Sequence, residues 1–297
     1  MPKRDQDGRG GFSNVGFRNK RQNTNGNRSS NGSLDLQKLE KALAKDFHDK
    51  PNSVREQLLD EFHGVLSRAV DETPELVEEA LEAFQLAVDN SVPEQEKGAY
   101  YKACSMKSTY IESTPFRLKF LRAELFDPEK AALRFVRSLD FLLEKFGEYA
   151  LMRQIYMSDL SKEEMNFFKK GYVQILPFRD TVGRRVIVNL GSYGGLDYTK
   201  EAKERVGAYV HWGILSEDVT TQRKGAISVG LMNDDAIEGV RDIDVASIRR
   251  FTDAMPVRYT GYHTCIADTF QNRLMKALAL TFFLGELRFM SRFHMGK

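Results

Sequence analysis

The chain has 297 residues, 41% hydrophobic and 29% charged, with a formal net charge of +2 and two cysteines, Cys104 and Cys265. That length buries a sizeable core, the near-neutral charge gives no global reason to bind nucleic acid or membrane, and two cysteines make no disulfide framework. The N-terminus lacks the apolar stretch of a signal peptide, and no window reaches the roughly 20 apolar residues of a spanning helix, so a cytoplasmic location is expected.

Residues 1–33 carry seven Lys/Arg against two Asp/Glu, and their only larger apolar side chains are Met1, Phe12, Val15 and Phe17. Such a segment buries too little surface to offset its ordering entropy, so a disordered basic tail is expected. The single "GRGGF" gives a minor RNA-associated alternative, and nucleic acid is not the expected partner. Residues 34–92 form a helical extension, read as three amphipathic helices over 35–90. Leu36, Leu39 and Leu43 keep helical spacing, and Thr73-Pro74 is a helix start. This extension is the segment open to a protein partner.

Residues 93–158 read as a helical lobe. In "TPFRLKFLRAELFDPEKAALRFVRSLDFLLEKFG" (114–147) one stripe carries Phe116, Phe120 and Leu121. After a break at Asp127-Pro128 a second stripe carries Ala132, Phe135, Val136, Leu139, Leu142 and Leu143. A further helix over 159–171 ends in Lys-Lys-Gly. The texture then changes to short β-branched or aromatic runs at 172–177, 184–190, 225–231 and 257–265, with "TVGRR" hairpin-like between the first two and "LRFMSRFHMG" as a final strand. Strands alternating with helices predict an α/β domain with a partly parallel sheet over 159–297.

Catalytic motifs are missing. No phosphate loop or dinucleotide fingerprint follows a strand, and the five histidines (48, 63, 211, 263, 294) do not fall at metal-ligand spacing. His263 and Cys265 share a strand face, which packing explains better than a nucleophile pair. No enzyme, metal or cofactor is expected. In "GAISVGL" one face is bulky (Ile227, Val229, Leu231) and the other nearly bare (Ala226, Ser228, Gly230). A closely approaching helix or a ligand cavity would each explain the bare face.

Four stretches, in order, resemble the CRAL-TRIO family of lipid and lipophile carriers. They are "FRLKFLRAELFDPEKAALRFVRSLDFLLEKFG", "FRDTVGRRVIV" with Asp180, Gly183 and Arg184, "TTQRKGAISVG", and "MPVRYTGYHTC" followed by a hydrophobic helix. The resemblance spans roughly residues 95–297. It implies an N-terminal helical lobe packed on an α/β domain whose mixed, partly parallel sheet floors an apolar cavity closed by a gate helix. The implied activity is non-enzymatic binding, and transfer between membranes, of a lipid or other small lipophile, with transient contact to a membrane surface. The alternative is a protein-interaction or regulatory scaffold of the same fold without an obligatory ligand. The implied cavity residues are Ala208 and Trp212, Ala226 and Ser228, Phe251, Met255, Val257 and Tyr259. Arg258 would touch a headgroup or membrane, although Thr260 stands where some members place a second basic residue, so phosphoinositide recognition is not expected. On a helix starting near Asp268, Leu274, Leu278 and Phe282 form an apolar stripe that would act as the gate and line the cavity.

Overall fold

The computed structural model describes residues 51–190, 198–231, 245–270, 272, 273, 276 and 290–296. They form an α/β protein of many helices and one five-stranded mixed sheet.

Helices α1 (Asn52–Phe62), α2 (Pro74–Asn90), α3 (Gly98–Cys104), α4 (Thr114–Ala123) and α5 (Pro128–Phe146) come first. The start of α2 is where sequence places it: Pro74 needs no donor at the first position, and Thr73 Oγ1 accepts the Leu76 N–H at 3.2 Å. Asp127 caps α5 in the same way, accepting the Lys130 N–H at 3.1 Å. The first half of α5 sends Phe135, Val136 and Leu139 into a lobe core with Phe84, Val88, Phe116 and Phe120. Its second half sends Phe141, Leu142 and Phe146 into a different core. One 19-residue helix thus serves both cores, because its apolar stripe runs its whole length.

A short helix, α6 (Tyr149–Met152), and α7 (Lys162–Lys169) lead into the sheet. Ser161 and Glu164 close a reciprocal cap at the start of α7. Strands β1 (Val173–Arg179) and β2 (Arg185–Leu190) are the predicted antiparallel hairpin. Its turn needs Gly183, which sits at φ +88°. Then follow α8 (Lys200–Ala208), a wider helical turn (Tyr209–Ile214), α9 (Val219–Lys224), β3 (Ala226–Leu231), α10 (Val245–Ala254), β4 (Tyr259–Ala267) and β5 (Ser291–Gly296). Spatial strand order equals sequence order, and β2 to β5 are parallel.

The two sheet faces differ. Ala226 on β3 and Ile187 on β2 are buried with Val210, Leu215 and Val257 from the crossover segments, which defines an inner, helix-covered face. On the outer face α1 lies against β4: Phe62 stacks over His263 at 4.8 Å, and Leu58 and Phe62 bury Met290. A buried ionic clamp holds α1 there. Arg258 Nη1 meets Glu61 Oε2 at 2.7 Å, and the Glu61 carboxylate is 0% exposed. Arg184, 2% exposed, bonds Asp180 at 2.6 Å, Thr260 Oγ1 at 3.1 Å and the Glu61 carbonyl.

Strand β4 is bulged. Ala226 pairs with Tyr259 but Ile227 pairs with Gly261, so Thr260 is an extra residue. The period-two alternation is broken there, and Tyr259 and Tyr262, three apart, share the inner face and stack at 5.0 Å.

Among the described residues no helix is long and apolar enough to cross a membrane. Of the extension over 35–90, the described part faces inward, with α1 on the sheet and α2 in the lobe core; its first predicted helix lies outside the described residues.

Candidate ligand-binding site

The parallel register lays inner-face side chains in transverse rows. Nearest the strand starts, Ala226 is fully buried. The next row is Ile187, Ser228, Tyr262, Ser291, and the one after is Asn189, Gly230, Thr264, Phe293. Ile187 is 1% exposed, whereas Ser228, Tyr262, Thr264 and Phe293 are half-buried. On β2 and β3 the face is filled at Ile187 and Ala226 and less buried at Ser228 and Gly230, while on β4 it closes again at Ile266, 5% exposed.

The expected cavity residues divide along this gradient. Ala208, Trp212 and Met255 are buried in one core with Phe141, Ile155, Leu160, Tyr209 and Ala254, and Phe251 and Tyr259 pack against its edge. Trp212 stacks on Phe141 at 5.1 Å and 8°, and its Nε1–H donates to Ser138 Oγ at 2.7 Å. Ala226 and Val257 belong to the neighbouring core. These side chains are thus brought together, and protein groups fill the space between them. Ser228 lies beyond that packing, its Oγ accepting from Asn189 Nδ2 at 3.0 Å. Leu274, Leu278 and Phe282 lie outside the described residues. Arg258 is joined to Glu61 on the outer side rather than directed to the inner face.

Sequence reasoning missed a polar pair at the inner edge. His211 Nδ1 lies 2.7 Å from the Gly207 carbonyl, and its Nε2 lies 2.6 Å from the Tyr259 hydroxyl. The Gly207 carbonyl can only accept, so Nδ1 carries a proton, and in the neutral ring Nε2 accepts the Tyr259 proton. Burial is the cause that holds the ring neutral, driving its pKa down to about 4 against the smaller opposing effect of the Gly207 carbonyl. It missed Tyr262 as well, for the bulge at Thr260 turns that side chain inward.

The strand pair His263 and Cys265 does not form a nucleophile and base. His263 Nδ1 lies 3.0 Å from His294 Nε2, and the ring is stacked between strand β5 and Phe62. Among the described residues no group of three or more His, Cys, Asp or Glu could hold a metal ion.

No protein-family model matches the chain, and no curated protein matches it.

Proposed function

We propose that the chain binds a small lipophilic molecule on the inner face of its sheet, over the strand ends at Ser228, Gly230 and Thr264, and transfers it between membranes. The resemblance to the CRAL-TRIO carriers motivates the reading. The observation that carries it is the half-buried stretch of the inner face at Ser228 and Gly230, between filled ground at Ala226 and Ile266. Among the described residues, a side chain added at Gly230 would meet nothing closer than the His263 carbonyl at 3.9 Å and Thr264 Oγ1 at 4.0 Å, and its backbone needs no positive φ. Room beside a half-buried row, flanked by Tyr262 and Phe293, suits an apolar ligand with a few polar contacts.

Native mass spectrometry of the purified full chain tests the proposal, followed by exchange of a fluorescent lipid between vesicles. A co-purifying mass of a few hundred daltons is expected, with Gly230→Trp removing both that mass and the transfer while the fold persists. A protein that is empty, takes up no added lipid and transfers none refutes it. So does a folded Gly230→Trp variant with unchanged uptake.

A further inference from the structure

The outer face of the sheet carries a histidine pair where α1 docks. His263 on β4 and His294 on β5 bring Nδ1 and Nε2 to 3.0 Å, with ring centroids 5.3 Å apart and ring planes 16° apart. At that centroid distance the facing nitrogens come within 3.0 Å only when both lie on the line between the ring centres. The rings therefore meet edge to edge, and the gap between them holds a single proton, donated by one nitrogen and accepted by the other. Two neutral rings fit this arrangement, and so does one imidazolium beside one imidazole. Two imidazolium rings would aim two N–H groups at each other, and the bond would be lost.

The surroundings sharpen that limit. Strand β2 supplies Arg184, β5 supplies Arg292 and α1 supplies His63, while β3 sets apolar Val229 beside His263. The carboxylates of this region are committed, Glu61 to Arg258 and Arg68, and Asp180 to Arg184. Burial, then His294, Arg184, Arg292 and His63, hold the His263 ring below its ordinary pKa. The Phe62 ring lies over His263 at 4.8 Å and would attract a cation, but it already faces the Arg292 guanidinium at 5.4 Å.

We propose that the His263–His294 pair is a proton-operated latch on α1: the helix stays docked while one proton sits between the rings, and leaves when both rings become imidazolium. The link to the helix is direct, since Phe62 packs on His263 and, with Leu58, buries Met290 just before β5. Release would uncover those apolar side chains together with the Arg184 and Arg258 guanidiniums, which now bond to Glu61. Once undocked, His263 takes up a proton near the ordinary 6.5; docked, it does so only below that value, so docking weakens as pH falls through 6.5. The latch does not depend on whether a lipophile is carried.

Hydrogen exchange of the full chain across α1, residues 52–62, tests this between about pH 7.5 and about pH 5. His263→Phe keeps a ring beneath Phe62 and removes the titration. The ratio of wild-type to His263→Phe exchange is the readout, because the intrinsic pH dependence of exchange cancels in it. That ratio should rise about fivefold or more on acidification, while the same ratio across β3, residues 226–231, stays flat. His294→Ala, at an exposed side chain, gives a second reference with the same expected rise, and it serves alone if His263→Phe does not fold. His211→Gln should keep the rise, since that ring lies on the inner face. A flat ratio across 52–62 against a folded reference overturns the latch. So does an equal rise across 226–231, or loss of the rise in His211→Gln.

Discussion

Removing the Glu61 carboxylate should uncouple α1 from the sheet. Arg258 is 11% exposed, and its Nε and Nη2 have no hydrogen-bond partner among the described residues, so Glu61 is what compensates its charge. Glu61→Ala leaves that guanidinium buried and unpaired, which costs about 3–5 kcal/mol. It also takes an acceptor from the Arg68 N–H, held at 3.0 Å, adding about 1 kcal/mol. The loss cannot exceed the free energy that docks α1, so two assays are needed: urea unfolding for the whole fold, and limited proteolysis between α1 and α2 for local release. We expect cleavage there to accelerate at least tenfold, with a fall in melting temperature of up to about 20 °C at 2–4 °C per kcal/mol. Replacing both partners, Glu61→Leu with Arg258→Leu, should recover most of the loss, since an apolar pair of similar volume is often neutral relative to a buried ion pair. A single variant that is neither destabilised nor more readily cleaved, or a double variant as damaged as the sum of its parts, would refute the clamp.

Ala226→Trp should behave unlike Trp placed at Gly230: Ala226 is fully buried against Val210 and Leu215, so overpacking should cost about 1–3 kcal/mol or more in urea unfolding. Gly225→Ala should destabilise by about 2 kcal/mol or more, because the backbone is at φ +82° and the new Cβ would lie 2.6 Å from the Arg258 carbonyl oxygen; a wild-type urea midpoint would contradict this. His211 titrates near 4 when folded and near 6.5 when unfolded, so below pH 6.5 the unfolded chain takes up a proton that the folded one refuses. Stability should therefore fall as pH drops from 6.5 toward 4, by order of 3 kcal/mol. His211→Gln should flatten that dependence, and an equally steep profile in the variant would assign it to other groups.

Much of the architecture was legible because it rests on local chemistry. Thr73-Pro74 and Asp127-Pro128 announce helix starts that fix their own caps, and Asp180 with Gly183 announces the hairpin between β1 and β2. The bare face of β3 was legible as well, but not how far along it the covering segments reach. A crossover helix fills it at Ala226, and it opens at Ser228 and Gly230, a division set by where Val210 and Leu215 arrive. Period-two reading failed on β4. Counting from Tyr259 in twos puts residue 262 on the opposite side, and only the extra residue Thr260 brings Tyr262 beside Ser228. Nor could the sequence foresee that Arg258 would be spent on Glu61, since nothing local relates the two. Ala208 and Trp212 do share a core, although the chain between them leaves regular α-helix for a wider turn.

The clamp between α1 and β4 closes a chain separation of 197 residues. Its N-terminal half leaves the ribosome first, yet the surface that receives it does not exist until β4 has been made and paired. At ordinary synthesis rates of 5–20 residues per second, the interval is roughly 10–40 s. During that time Leu58 and Phe62 have no sheet to cover, while the lobe core, built from contacts between α2 and α5, can already form. Docking of α1 is therefore a late event in assembly, and the newborn chain must keep a greasy helix solvated, or shielded by a chaperone, until its partner strand arrives.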